Sequence, residues 1–310
     1  MSQNNGLNAQ IKGPIEGVWT AIATPFGDNQ SIDWTAFDKL LEVQSKGQVS
    51  GVVISGTTGE SPTLTVQEKI SLVRKARAQL PPSIRVMAGS GGNNTSQSIE
   101  LSKLCVDAGA DSLLIVTPPY NKPSPAGMKL HYQMISEATN APLCLYHVPG
   151  RTGQLLNAAA ISVVTNSVER VQAVKEASGD LALFSRTVNL SKASILTGDD
   201  PTYLASLSVG GKGVISVISN VYPRAMVELT KAFKDSKMTR ALEIHKVLMP
   251  MIDILFCESN PGPLKAAIEI AGWAKNILRA PMAPVTIENY QAIKDCMSKT
   301  ETQLRSLDAI

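Results

Sequence analysis

Eight short apolar runs divide this 310-residue sequence as far as Asn220, and they constrain its fold more than any other feature. Each run is rich in Val, Ile and Leu and ends in small or polar residues. The runs are VWTAIATPF from Val18, GVVISGTTGE from Gly51, RVMAGSGGNN from Arg85, SLLIVTPPYN from Ser112, LCLYHVPGR from Leu143, VQAVKEASG from Val171, SILTGDD from Ser194 and GVISVISN from Gly213. Continuous apolar runs are typical of strands covered on both faces, so the pattern predicts a parallel sheet between helices.

Helix-start signals follow several of these runs. Thr65 and Glu68 form a capping-box pattern, and the dipeptides SP at Ser124 and DP at Asp200 place a cap residue before a proline at the first helical position. Eight strand-then-helix units predict a parallel (β/α)8 barrel, the TIM barrel.

The sequence after the eighth run has a purely helical pattern, from about Val221 to Leu307. This is more helix than one barrel repeat needs. We therefore predict three parts, a polar N-terminal tail over residues 1–14, the barrel over 15–235 and a C-terminal helical extension over 236–310.

Composition and charge narrow the class of function. With 44% hydrophobic and 18% charged residues, the chain can bury a large core. Its net charge is +3 and its 29 Lys and Arg form no long run, which argues against a nucleic-acid partner. The longest apolar stretches are too short to span a membrane, and the polar N-terminus lacks an apolar signal region, so we expect a cytoplasmic protein.

Metal ions and nucleotide cofactors are not expected. The three histidines, His131, His147 and His245, show no metal-binding spacing, and the four cysteines make no CxxC pair. The glycine-rich segment GSGGNN at Gly89 lacks a complete dinucleotide-binding fingerprint. Side chains alone should therefore carry the chemistry.

That chemistry is expected where the strands end, because the active sites of such barrels lie at the carboxyl ends of their strands. Lys175 ends the run VQAVK among apolar neighbours. Burial favours the neutral amine that can attack a carbonyl and form a Schiff base. Tyr146 ends the neighbouring fifth run, where it could exchange protons with that amine. Taken singly, such a lysine is more often a strand-end charge and such a tyrosine a packed ring.

Loops that follow the second and fifth runs offer groups that bind carboxylates. The turn GTTGES at Gly56 supplies the hydroxyls of Thr57 and Thr58 together with backbone amides. Arg151 follows the fifth run in VPGRTG and has the fork geometry for a bidentate carboxylate contact. Turn chemistry explains the threonines equally well, and an isolated loop arginine is usually a solvated charge.

Six motifs, in the same order, resemble those of the dihydrodipicolinate synthase and N-acetylneuraminate lyase family. They are GTTGES at Gly56, TPPYNKPS at Thr117, LYHVPGRTG at Leu145, VKEASGD at Val174, TGDD at Thr197 and GVISV at Gly213. The resemblance runs from about Gly17 to Pro284. It implies a lyase without an external cofactor, in which Lys175 binds pyruvate as an imine and the derived enamine attacks an aldehyde.

The resemblance also implies roles for individual residues. The expected catalytic set is Lys175, Tyr146, Thr58 and Tyr120. Tyr120 would reach in from a neighbouring subunit of a homo-oligomer, expected to be a tetramer built as a dimer of dimers. The expected substrate contacts come from Thr57, Thr58, Arg151, Gly198 and Ile215.

Arg151 distinguishes the branches of the family. It matches the residue that meets the carboxylate of aspartate semialdehyde, whereas sialic-acid lyases generally carry an apolar residue there and a Ser-Thr pair in place of Thr57 and Thr58. The implied reaction is condensation of pyruvate with L-aspartate 4-semialdehyde to 4-hydroxytetrahydrodipicolinate, on the route to lysine and diaminopimelate. The alternatives are another pyruvate-dependent aldolase or hydro-lyase of the family, acting on a sugar-derived or other 2-oxo acid, and a catalytically silent paralogue.

The sequence departs from the family pattern in two places. His147 stands where the family usually has Asn, and we expect its imidazole to pack behind the strand end. Where lysine-inhibited members grip lysine, this chain has Val66, Lys69, Gln97 and Pro119. Losing a carboxylate and adding an ammonium should weaken binding of a cationic ligand, so we expect inhibition by lysine to be weak or absent.

Overall fold

Eight parallel strands close into a barrel in the computed structural model, which describes residues 13–310. The strands are β1 (Gly17–Ala21), β2 (Gly51–Ile54), β3 (Arg85–Gly89), β4 (Ser112–Val116), β5 (Leu143–His147), β6 (Val171–Glu176), β7 (Ser194–Thr197) and β8 (Gly213–Ser216). Each pairs with its neighbours in chain order, and β8 closes the ring by pairing with β1. All eight apolar runs therefore contain a strand, and the predicted TIM barrel is confirmed.

Helices connect the strands and cover the outside of the barrel. They are α1 (Trp34–Lys46), α2 (Val66–Gln79), α3 (Thr95–Asp107), α4 (Pro125–Thr139), α5 (Pro149–Thr152), α6 (Ala158–Ser167), α7 (Leu181–Leu190), α8 (Tyr203–Ser208), α9 (Pro223–Lys234), α10 (Met238–Ile254), α11 (Gly262–Ile270) and α12 (Ile287–Ser306). Among residues 13–310, no helix combines the length and the apolar character that crossing a membrane requires.

The last three helices form the C-terminal helical extension. Helix α10 packs on α9 and α12, and α12 also packs on α11. The division of the chain after residues 14 and 235 stays a prediction. Most of the predicted tail, 1–14, lies outside the described residues.

Two of the three predicted helix starts agree with the structure. Thr65 and Glu68 form a complete capping box at α2, in which the side chain of each accepts from the backbone N–H of the other. Ser124 caps α4 by accepting the N–H of Gly127. Each contact satisfies an amide that the first turn of a helix leaves without a partner.

The predicted cap at Asp200 is wrong. Asp200 is the first residue of a 3₁₀ turn, Asp200–Thr202, and it does not cap the turn that follows. Its carboxylate instead accepts the backbone N–H groups of Val217 and Ile218, at 2.8 and 3.0 Å. The side chain thus satisfies amides beyond β8 that are distant in sequence, which no local pattern could indicate.

Strand side chains alternate between the barrel interior and the outer helical layer. The interior is a packed cluster that includes Trp19, Val53, Met87, Leu114, Cys144, Ala173, Leu196 and Ile215. Tyr146 belongs to this cluster and is paired in register with Lys175 on the next strand. The two residues that follow them, His147 and Glu176, therefore face outward.

Candidate active site

Lys175 lies near the end of β6, inside the barrel, and only 6% of its surface is exposed. Within residues 13–310 its amine makes no hydrogen bond or ion pair, and Nζ lies 4.3 Å from the centre of the Tyr146 ring. The pairing of Tyr146 with Lys175 across β5 and β6 accounts for this contact. A buried, unpaired amine beside a phenol is suited to attack a carbonyl and to exchange protons during that attack.

The turn after β7 packs against the stem of this lysine. A Cβ atom added at Gly198 would lie 2.5 Å from Cε of Lys175 and 2.7 Å from Cβ of Ala177. Ile215, from β8, is fully buried in the interior cluster. The absence of a side chain at Gly198 therefore leaves room for the side chain of Lys175. Contacts of Gly198 and Ile215 with a substrate stay predictions.

Replacing Gly198 with Ala should displace the stem of Lys175, because Cβ atoms do not tolerate contacts of 2.5 Å. A displacement of about 1 Å at a reacting group lowers turnover by roughly 10²-fold. The measurement is kcat, together with the rate at which the protein traps a carbonyl substrate. Gly150→Ala is the matched control, because a Cβ there meets nothing within 4 Å. Equal activity of the two variants would contradict the expected crowding.

A cavity of about 720 Å³ opens where β2 to β5 end, and Thr57, Tyr146 and Arg151 are among the residues that line it. The backbone amides of Thr57 and Thr58 have no acceptor within the described part of the chain. Arg151, on α5, is exposed and makes no side-chain hydrogen bond or ion pair there. Groups that bind carboxylates thus share one cavity with Tyr146, which in turn contacts Lys175.

Thr58 is almost completely buried and is held by a residue that the sequence did not identify. The side-chain amide of Asn260, just before α11, donates to Oγ1 of Thr58 at 3.0 Å. Since the threonine oxygen accepts this bond, its own proton stays available for donation. The segment NPGP at Asn260 indicates only a helix break in the sequence, so a role for its side chain had no local signal.

Of the four predicted catalytic residues, Tyr146 lines this cavity, Lys175 contacts Tyr146 and Thr58 follows the lining residue Thr57, whereas Tyr120 lies on the surface. It lies in the loop before α4, is 90% exposed and has a left-handed φ of 71°. The single chain therefore assembles Thr57, Tyr146 and Arg151 around the cavity, with Lys175 behind them, and leaves Tyr120 on the surface.

A second buried lysine, Lys265 on α11, shows that burial alone does not identify a nucleophile. Its amine forms an ion pair with Glu60, donates to the carbonyl of Ile277 at 2.7 Å and lies 4.1 Å from the centre of the Phe26 ring. Burial lowers the pKa of Lys265 to about 8, against the opposing effect of Glu60. Lys265 does not line the cavity, and its amine is bound to Glu60 and to the carbonyl of Ile277. It is therefore not placed to react with a substrate in the cavity.

The fold and the site define the class of protein as a (β/α)8-barrel lyase. No group of three or more His, Cys, Asp and Glu residues between 13 and 310 is arranged to hold a metal ion. The chain belongs to the dihydrodipicolinate synthetase family, whose model matches residues 14–300.

Relatives support this assignment over nearly the whole chain. The 4-hydroxy-tetrahydrodipicolinate synthase of Methanothrix thermoacetophila is 41% identical over 92% of this chain and 97% of its own. The structure of the same enzyme from Methylacidiphilum fumariolicum has a TM-score of 0.91 and 36% identity, and the match covers 95% of this chain and 98% of that one. A structure described as a monomeric dihydrodipicolinate synthase variant has a TM-score of 0.90 and 35% identity, with coverage of 92% and 97%.

Proposed function

We propose that the protein condenses pyruvate with L-aspartate 4-semialdehyde to 4-hydroxytetrahydrodipicolinate through an imine on Lys175. The observation that carries the proposal is the unpaired amine of Lys175 against the Tyr146 ring, in a barrel of this family. The names of the relatives support the choice of reaction. Arg151 at the cavity supports an aldehyde that carries a carboxylate.

The residues at and beside the cavity have the groups that imine formation with pyruvate needs. The free amides of Thr57 and Thr58 receive the carboxylate of pyruvate, and Nζ of Lys175 attacks its C2 carbonyl. The phenol of Tyr146, with the Thr58 hydroxyl, supplies the proton with which water leaves as the imine forms. The Tyr146 phenolate left by that step takes a proton from C3 to give the enamine. C3 of the enamine bonds to the aldehyde carbon, and the aldehyde oxygen takes a proton to become the 4-hydroxyl group. The amino group of the second substrate then displaces Lys175 and closes the ring.

The protonated imine activates pyruvate, so the reaction needs no external cofactor to withdraw electrons. Protonated nitrogen withdraws electrons from C2, which makes a proton on C3 acidic enough for removal. We propose that no metal ion or organic cofactor takes part, and dialysis against a chelator should leave turnover unchanged. We also propose that the protein acts in the cytoplasm.

The acceptor aldehyde is tested directly by a panel. After pyruvate is added, aspartate semialdehyde, N-acetylmannosamine and a sugar aldehyde are supplied in turn, and product is detected by mass spectrometry. Turnover with aspartate semialdehyde alone supports the proposal. Turnover with only a sugar-derived aldehyde would assign the chain to another reaction of its family.

Replacing Arg151 with Lys should damage use of the aldehyde more than use of pyruvate. Lysine keeps the charge but loses the bidentate fork, so KM for aspartate semialdehyde should rise about 10- to 100-fold. Steady-state kinetics with each substrate varied separately measure the two effects. Arg170→Lys is the control, because Arg170 immediately precedes β6, at the opposite end of the barrel, and donates to the carbonyl of Asn140. A larger change in KM for pyruvate would contradict the assigned role.

The exposure of Tyr120 bears on the oligomeric state of the protein. We infer that a second subunit places this phenol at the cavity, in a tetramer built as a dimer of dimers. An exposed aromatic side chain in a left-handed loop conformation supports a contact that one chain lacks. One structure similar to this chain is described as a monomeric variant, so sedimentation of this chain is the deciding measurement.

Inhibition by lysine is proposed to be weak or absent. Lys69, Gln97 and Pro119 line the same cavity as Arg151, and its lining contains two cationic side chains and no carboxylate. Such a surface repels a cationic ligand. A steady-state assay with added L-lysine tests this, and Gln97→Glu should increase whatever inhibition is seen.

A further inference from the structure

The side chain of His147 contacts the far end of the loop that carries Arg151, residues 148–155. His147 is the last residue of β5 and is completely buried. The backbone N–H of Leu156, where the loop ends, donates to Nε2 of His147 at 3.0 Å. The imidazole thus joins the two ends of the segment that contains α5.

The hydrogen bonds of His147 define its tautomer. Since Nε2 accepts from Leu156, the proton is on Nδ1, and Nδ1 donates to Oε1 of Glu176 at 3.0 Å. The same carboxylate oxygen accepts the N–H of Ser178, also at 3.0 Å. The imidazole is therefore neutral, and both of its nitrogens have a partner.

This pair lies directly behind the reacting residues. His147 follows Tyr146 and Glu176 follows Lys175, and the register of β5 and β6 pairs His147 with Glu176. One outward-facing contact therefore connects the two strands that carry the chemistry to the loop that carries Arg151. Two more side chains hold the loop. The amide of Gln154 donates to the carbonyl of Pro123 at 2.8 Å, and Oγ1 of Thr152 donates to the carbonyl of Val148 at 3.2 Å.

We propose that His147 is a positioning residue for Arg151, and that through this loop it sets the affinity for the acceptor aldehyde. The inference rests on the proposed function, because it assigns the loop to the second substrate. His147 does not touch the reacting atoms. Its removal should change the KM for the aldehyde while imine formation between Lys175 and pyruvate continues.

Two amide substitutions separate the two contacts of the imidazole. The side-chain amide of asparagine can replace Nδ1, so His147→Asn keeps a donor to Glu176 and leaves the N–H of Leu156 buried without an acceptor. The longer amide of glutamine can replace Nε2, so His147→Gln keeps the acceptor for Leu156. If the closure of the loop matters, the asparagine variant should raise KM for the aldehyde on the order of tenfold, and the glutamine variant should stay near wild type.

The experiment measures KM for aspartate semialdehyde and borohydride trapping of pyruvate in wild type, His147→Asn, His147→Gln and the control His245→Asn on α10. Unchanged trapping shows that each variant keeps a folded site. A raised aldehyde KM in the asparagine variant alone supports the inference. Equal KM values in both His147 variants, or loss of trapping in both, would overturn it. A wild type that traps pyruvate but does not use aspartate semialdehyde would instead contradict the proposed function, and the inference with it.

Discussion

Lys175→Ala should lose the covalent pyruvate adduct and lower turnover by on the order of 10⁴-fold or more, because the nucleophile of the covalent route is gone. The amine is buried inside the barrel, has no charged partner among residues 13–310 and contacts the Tyr146 ring. The measurement is incubation with pyruvate and borohydride, followed by mass spectrometry of the intact protein and of its peptides.

The second buried lysine provides an internal control for this experiment. Lys265 is as buried as Lys175, but its amine is engaged by Glu60 and by the carbonyl of Ile277. In wild type the reduced adduct should therefore map to Lys175 and leave Lys265 unmodified. An adduct on any other lysine, or no adduct, would remove the mechanism. Lys175→Arg should behave like the alanine variant, because guanidinium keeps its proton at neutral pH.

The barrel could be predicted from the sequence because each part of it has a local signal. Continuous apolar runs mark strands that are covered on both faces, and the run from Val171 illustrates this for β6. The capping box at Thr65 marks the start of α2 in the same local way. Placement of Lys175 beside Tyr146 followed from barrel topology, because consecutive strands of such a barrel are neighbours.

The contacts that support the site could not be predicted, because they join segments that are far apart in the chain. Asn260 reaches Thr58 across 202 residues. Asp200 caps the turn after β8 where the local pattern indicated its own helix. Lys265, like Lys175, is a lysine among apolar residues, but its ion pair with Glu60 and its hydrogen bond to the carbonyl of Ile277 have no local signal in the sequence. Which residue a buried polar side chain contacts depends on the tertiary structure, and a local sequence pattern does not determine it.

The ion pair of Glu60 and Lys265 secures one of these supporting contacts. Glu60 lies two residues after Thr58, and Lys265 lies on the helix that follows Asn260. The other carboxylate oxygen of Glu60 accepts the N–H of Arg279 at 3.0 Å. The pair therefore connects the turn that holds Thr58 to the segment whose amide donates to it.

Lys265→Met should lower the free energy of unfolding by about 3–5 kcal/mol, because it leaves the carboxylate of Glu60 buried without its cationic partner. Removing both charges in Glu60→Leu/Lys265→Met should recover much of that loss, since the desolvation cost of both ions disappears with them. Denaturant unfolding of the two single variants and the double variant measures the coupling. Lys275→Met is the control, because the Lys275–Asp28 pair is exposed and should contribute little. A destabilisation by Lys265→Met no larger than that of the control would show that the buried pair does not hold these segments together, and the hydrogen bond from Asn260 to Thr58 would then need another support.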